Sequence, residues 1–449
     1  VFVSHKDTFL FLKFMVLLSQ QKIETLILKN LKILPAYLLT FVNVIGYSIM
    51  IPVLPFIVKE ANAPDYIYGL LLSTYSFFQF IGSPYLGKLS DSKGRKQILL
   101  ISQFGTFLSW IIIGIAYFIP YQTLTFWDFS FMGQAFYLSL PLLIIGTARI
   151  TDGLTGGNIS VTNAYISDIT SIQEKKTIFG TLGGISGIAF VIGPAIGGIT
   201  ASYSIGYLGT VITAAIVSLI AMFSIVFFLK ESLPETERRP YVKHNFVKSF
   251  NLVKRVNSLN PKDIVKQVLV LKVLMSATMA FYISTIVLFV IDLFSFDEKG
   301  VGFFMLVAGV FLGFNQAFMY KKIVVRFGEL KTLRLGFGLM FLGFIAITLT
   351  DVLWIYLVLY YILNLGISLS MPVFNSLISQ HAEKDKLGEL MGISESITSI
   401  SNAIFPVIAA AIFGLISYNM YILLALIPLT GVILTFQLLI KIKANGNTD

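Results

Sequence analysis

Residues 87–96 read Gly-Lys-Leu-Ser-Asp-Ser-Lys-Gly-Arg-Lys. The run joins two long apolar stretches, roughly 67–87 and 97–118. About 20 mostly apolar residues in a helix cross the roughly 30 Å of bilayer hydrocarbon. A polar connection this short turns the chain straight back into the membrane. Each residue type has a use there. Gly87 lets helices approach closely. Asp91 can face the positive N-terminal end of a neighbouring helix. Gly94 permits the tight turn, and Arg95 and Lys96 stand at the polar face, where acids can pair with them.

The rest of the chain carries the same pattern. Of 449 residues, 56% are hydrophobic and only 12% charged. Soluble domains carry about 25% charged residues, so most of this surface must face lipid. Twelve apolar stretches are legible, at roughly 34–58, 67–87, 97–118, 138–165, 178–200, 207–229, 268–292, 301–320, 332–350, 353–378, 388–413 and 418–440. Backbone groups in hydrocarbon must be satisfied internally, which makes these helices. The sequence therefore predicts an all-α membrane protein of twelve transmembrane helices.

Charge sets the orientation. With the N-terminus inside, 29 of the 33 Lys and Arg fall on the cytoplasmic side, and only Lys59 and Lys299 fall outside. Arg149 and Lys272 fall within spans. That asymmetry is the positive-inside rule for an even number of spans, with both termini cytoplasmic. It explains the net charge of +10 without a nucleic-acid partner.

A polar stretch near the middle of the chain holds Pro234, Pro240 and Pro261. It divides the chain into an N-terminal cytoplasmic extension (1–33), a six-helix bundle (34–229), a cytoplasmic linker (230–266), a second bundle (267–440) and a cytoplasmic tail (441–449). The second bundle repeats the loop after its second span, as Lys-Lys-Ile-Val-Val-Arg-Phe-Gly-Glu-Leu (321–330). Gly328 lies 234 positions after Gly94, about half the chain, and the Asp is lost. Duplicated halves with a site between them are a common transporter plan.

The loop at 87–96 matches the signature loop of the major facilitator superfamily. Further stretches resemble its tetracycline-resistance branch of drug:proton antiporters. These are Ile51-Pro-Val-Leu-Pro55 after Gly46, Arg149 followed by Gly153-Leu-Thr-Gly-Gly157, Ala164-Tyr-Ile-Ser-Asp-Ile-Thr170, and Lys230-Glu-Ser-Leu-Pro-Glu235. Gly187, Gly193, Pro194, Gly197 and Gly198 in span 5 and Gly388-Glu-Leu-Met-Gly392 in span 11 add to the likeness. The resemblance implies that fold, with two pseudo-symmetric bundles, a monomer in a bacterial inner (plasma) membrane, and alternating access to a central site. It also implies that Gly87, Asp91, Gly94, Arg95, Lys96 and Asp168 gate the cytoplasmic side, Asp91, Arg95 and Asp168 forming a charge cluster that holds the outward-facing state. The pattern Gly193, Pro194, Gly197 and Gly198 is linked in the family to antiporters. Read from the residues alone, such glycines also make a flat face for close helix packing, and Pro194 can bend its helix.

Ionisable groups inside the membrane are costly, and by default are functional or paired. Arg149 and Asp152, three apart on span 4, share a helix face. Either they neutralise each other or Asp152 carries a coupling proton. Relatives often carry an Asp in span 1 where this chain has Asn43, so proton coupling through span 1 is in question. By the family plan the cavity is lined by Asn43, Arg149, Asp152, Asn158, Tyr282 and Asn364, with Tyr75 and Gln79 from span 2 and Asn402 from span 11. Glu395 in span 11 faces either that cavity or the packing between halves.

No enzyme is expected. There is no Cys, the three His are far apart in sequence, and no Gly-x-x-x-x-Gly-Lys-Ser/Thr run is present. This excludes thiol and Cys-metal chemistry and direct use of ATP, and no cofactor is called for. The sequence predicts a secondary transporter that exports a small organic compound in exchange for protons. A symporter or facilitator importing a metabolite is the alternative.

Overall fold

The computed structural model describes residues 33–120, 123–129, 134–170, 172–238, 240, 252–383 and 386–444. Nearly all of the extension 1–33, residues 241–251 of the linker and 445–449 of the tail lie outside the described residues.

Helix α1 (Ile33–Ser48) gives way to α2 (Leu54–Glu60) through a turn at Ile49–Val53. Pro52 and Pro55 lack the N–H that would continue the ladder. Then come α3 (Asp65–Lys93) and α4 (Arg95–Tyr117). Gly94 alone separates them, at φ +97°, so the turn needs a residue without a Cβ. Strands β1 (Thr123–Phe129) and β2 (Gln134–Ser139) form an antiparallel hairpin between the third and fourth apolar stretches, an element the hydropathy pattern does not predict. Helices α5 (Leu140–Gly156) and α6 (Ile159–Ile169) break at Gly157 and Asn158. Helices α7 (Ile172–Ala201) and α8 (Tyr207–Phe228) complete the first half.

A short amphipathic helix, α9 (Leu252–Leu259), leads into the second half. Leu252, Val256 and Leu259 on one side of it pack on the core. The second half holds α10 (Asp263–Phe294), α11 (Glu298–Phe314), α12 (Lys321–Phe327), α13 (Glu329–Ala346), α14 (Leu353–His381), α15 (Leu387–Ile416) and α16 (Met420–Ala444). A π-turn, Asn315–Tyr320, joins α11 to α12. Gly328 turns α12 into α13 at φ +77°, as Gly94 does in the first half.

Among the described residues seven helical stretches are long and apolar enough to cross a membrane, the last being the joined Leu387–Ile440. Large apolar side chains such as Phe104, Phe227 and Trp354 point outward from the bundles, as a lipid-facing surface requires.

Among the described residues the close backbone contacts between the two bundles lie toward one end. We call the end carrying Gly94 and Gly328 the basic end and the other the far end. At the far end, a Cβ on Gly69 of α3 would fall 2.9 Å from Ala410 Cβ of α15. One on Gly198 of α7 would fall 2.6 Å from the Gly302 Cα of α11. Toward the basic end, Cβ atoms on Gly183, Gly184 and Gly187 of α7, Gly313 of α11, and Gly388 and Gly392 of α15 would meet nothing within 4 Å. The core follows the same division. One apolar cluster runs through both halves, while a second, with Ile98, Leu99, Val161 and Ile166, belongs to the first half alone.

Candidate functional site

The first half buries a polar cluster at mid-depth. Arg149 on α5 is 1% exposed and Asp152, one turn on, 3%. Arg149 Nη1 and Asp152 Oδ2 are 3.8 Å apart, too long for a charge-assisted hydrogen bond. The guanidinium lies 5.9 Å from the Tyr75 ring and 5.7 Å from that of Trp110. Its Nε and Nη2 have no protein partner. Tyr75 is fixed by Gln79, whose amide donates to the Tyr75 hydroxyl (3.0 Å) and to Gly156 O (3.2 Å). Asn43 on α1 donates to Asn158 Oδ1 at 2.5 Å, where α5 and α6 break. The two amides form a buried neutral pair.

Across the interface a cleft of about 500 Å3 is lined by Phe190 and Val191 of α7 and by α10, α11 and α14. Its polar groups come from the second half. The hydroxyls of Tyr282 and Tyr360 hydrogen-bond each other. Asn364 donates to Ala308 O at 2.9 Å, and Tyr361 donates to Asn315 Oδ1 at 2.9 Å. Asn315 begins the π-turn of the α11–α12 rod. Such turns interrupt the regular ladder and are frequent at functional sites. Phe304 and Phe344 pack on Tyr360 and Tyr282. The cleft therefore offers flat aromatic faces, two hydroxyls and an amide.

On α15, Glu395 is exposed on the face that carries Gly388 and Gly392, and Asn402 is half-buried two turns further along. Lys272 of α10 has its ammonium 5.7 Å from the Phe374 ring.

The basic end of the first half is tied by a knot of charges. Arg95 Nη1 donates to Asp91 Oδ1 (2.5 Å) and Nε to Asp168 Oδ2 (3.0 Å). Glu231, just after α8, accepts from the backbone N–H groups of Arg95 (2.8 Å) and Lys96 (3.1 Å). A carboxylate there satisfies orphan donors and the positive end of α4. Lys96 Nζ reaches Val226 O at 2.9 Å, and Ser232 donates to Asp168. Gly87 lies beside Ser160, whose hydroxyl would be 3.3 Å from a Cβ. At the far end Gly193 and Gly197 press against Ser48 and Ile49, and Pro194 O stands 3.2 Å from where a Cβ on Gly302 would lie.

The sequence profile of the Major Facilitator Superfamily matches residues 36–406 and, separately, 316–446. The chain belongs to the major facilitator superfamily. It is 27% identical over 414 residues to the class H tetracycline resistance protein of Pasteurella multocida, covering 92% of this chain and 95% of that one. Multidrug resistance protein 2 of Bacillus subtilis is 25% identical over 398 residues, covering 88% and 92%. Among solved structures, an inward-facing, unoccupied bacterial homolog of the human lysosomal transporter Spinster superposes with a TM-score of 0.68 at 12% identity. That match covers 92% and 97% of the two chains. The protein is thus an integral membrane transporter resembling the tetracycline-resistance branch, and not an enzyme.

Within this major facilitator fold the residues singled out from sequence fall into separate groups. Asn43, Tyr75, Gln79, Arg149 and Asp152 share the first-half cluster. Tyr282 and Asn364 face the cleft, and Glu395 and Asn402 lie apart on α15. The sequence reading assigned no role to Glu231, Trp110, Tyr360 or Asn315. Glu231 had a signal, because it stands in the Lys230–Glu235 run that carried the family resemblance. Trp110, Tyr360 and Asn315 had none, since one aromatic or amide in an apolar span looks like any other.

Proposed function

We propose that the protein exports a small organic compound by alternating access, with protons moving in the opposite direction through Asp152. Residues 34–229 and 267–440 act as the two rocking halves, the basic end faces the cytoplasm, and the chain works as a monomer. Twelve spans carry this plan.

The observation that carries the coupling is the slack contact between Arg149 and Asp152. A purely structural ion pair buried this deeply is expected to saturate its hydrogen bonds, because unmet charge in low dielectric is costly. Here the two groups stand 3.8 Å apart and two guanidinium nitrogens lack partners. That leaves room for Asp152 to gain and lose a proton while Arg149 turns toward or away from it. The Asn43–Asn158 pair cannot titrate, so Asp152 is the buried carboxylate of this cluster available for coupling. The cleft with Tyr282, Tyr360 and Asn364 fits a flat amphipathic solute. Export is supported by relatives named for tetracycline and multidrug resistance.

The test is proton flux in proteoliposomes with a pH-sensitive dye inside, across a panel of amphipathic drugs and small metabolites. Substrate-dependent proton movement is expected in the wild type. Asp152→Asn is expected to lose it yet retain counterflow exchange. Uptake of a metabolite without proton movement would instead identify a facilitator. Proton movement unchanged in Asp152→Asn would remove Asp152 from the mechanism.

A further inference from the structure

A groove of about 840 Å3 runs between α13 and α16 at the basic end, on the outside of the second half and away from the cleft. Leu335, Leu342 and Val432 are among the side chains that wall it. Gly338 forms its floor, where a Cβ would meet nothing within 4 Å. The walls open sideways, with Leu335 41% and Leu342 57% exposed. At the head of the groove stand Lys331 and Arg334, the Arg334 guanidinium lying 5.6 Å from the Phe436 ring.

These two cations are unmatched. Among the described residues no carboxylate stands within ion-pair distance of either. The repeated loop explains why. In the first half Asp91, Asp168 and Glu231 hold Arg95 and the start of α4. In the second half the Asp is gone, and Glu329, the one acid of the loop, accepts from Ser376 and Gln380.

We infer that this groove binds an anionic phospholipid. Its phosphate sits between Lys331 and Arg334, and an acyl chain lies over Gly338 against Leu335, Leu342 and Val432. A soluble anion would satisfy the cations and leave the apolar walls unused. A zwitterionic lipid would fill the walls but cancel little of the charge. An anionic lipid does both, and basic pockets at the ends of membrane helices are built this way. Filling the groove ties α13 to α16 at the end where the two halves part.

The test uses the purified full chain in phosphatidylcholine vesicles doped, in both leaflets, with phosphatidylglycerol bearing a photoreactive acyl chain. Because both leaflets carry the probe, the outcome does not depend on which end faces the cytoplasm. Adducts are expected on residues 335–342 and at Val432. Each cation contributes about fivefold in binding, so Lys331→Gln with Arg334→Gln should lower labelling by more than tenfold. Labelling by photoreactive phosphatidylcholine should be weak and unchanged. Gly338→Leu, which fills the floor and keeps both cations, should also lower labelling. Phosphatidylglycerol labelling equal in the wild type and the double variant, or no stronger than that of phosphatidylcholine, would overturn the proposal. Loss of labelling on adding inorganic phosphate would also overturn it, by marking a site for a free anion.

Discussion

Gly198 and Gly302 pack backbone against backbone where α7 meets α11, a Cβ on Gly198 falling 2.6 Å from the Gly302 Cα. No side chain fits there without prising the halves apart at the far end. Gly198→Leu is therefore expected to disfavour the far-end closure and to slow transport at least tenfold, while each bundle still folds. The chain has no cysteine of its own. A single Ala410→Cys can thus report the far end by its rate of labelling with a membrane-impermeant maleimide. Labelling should rise when Gly198→Leu is added. An unchanged rate would show that the glycine contact does not control closure.

The same end carries a charge arrangement that responds to pH. Asp65 opens α3 near Gly414 of the other half. Burial, reinforced by Asp292 on α10, holds its carboxyl above the ordinary carboxylate range, and Lys59 opposes this. The raised value belongs to the closed arrangement, since parting the halves exposes Asp65 and separates it from Asp292. Closure is therefore favoured below the raised value and weakens as pH rises through it. Asp65→Asn should flatten that dependence, measured as Ala410→Cys labelling against pH. A slope identical to wild type would locate the titrating group elsewhere.

Arg95 is gripped by three acids from three segments: Asp91, Asp168 and, through its backbone N–H, Glu231. All belong to the first half or directly follow it, and the knot is complete while the halves are parted at this end. Glu231→Gln keeps an acceptor but loses the charge at the start of α4, a change of about 0.5–1 kcal/mol. Asp168→Asn leaves a nearly buried guanidinium short of a partner and should cost about 2 kcal/mol. Thermal unfolding of the purified variants should rank them in that order. Transport should fall in Asp168→Asn beyond what its stability loss explains, if the knot also acts in the cycle.

Much of the fold was legible because the bilayer imposes a coarse code. Apolar runs and the placement of Lys and Arg do not depend on knowing which helices touch. The Gly94 and Gly328 turns were legible for the same reason, being local backbone features. The partnerships were not. The meeting of Tyr282 with Tyr360, 78 positions apart, depends on how α10 and α14 are rotated. Neither span has a polar stripe long enough to fix that rotation by eye. The β1–β2 hairpin was missed because its strands, seven and six residues long, are short and lie between two long apolar runs. Arg149 and Asp152 were found by their charge alone, and only the fold reveals how loosely they are joined.

The hydroxyl contact between Tyr282 and Tyr360 separates two contributions to the cleft. Tyr360→Phe removes one hydroxyl and keeps the ring that packs on Phe304. Stability should fall by about 1–2 kcal/mol, because the buried Tyr282 hydroxyl loses its partner, and solute binding should weaken about fivefold if the hydroxyl touches it, as for one neutral hydrogen bond. Tyr360→Ala removes the ring as well and should destabilise the second half by about 3–5 kcal/mol. Equal binding by wild type and Tyr360→Phe, measured by quenching of a fluorescent amphiphile, would leave that hydroxyl as a partner for Tyr282 alone.

Arg149 and Asp152 allow the structural and the coupling roles to be told apart by a double-variant cycle. Arg149→Met leaves a carboxylate alone in a site that is almost fully buried, and breaking a buried pair from one side costs about 3–5 kcal/mol. Poor expression and early unfolding are expected. Adding Asp152→Asn removes the orphaned charge and should recover most of that loss, because two neutral groups of similar shape are tolerated where one charge is not. Recovery of folding without recovery of proton-driven flux would mean that the charges are needed for transport and not for the fold. If flux returns along with folding, the pair is only an internal neutralisation, and the proton travels through another group.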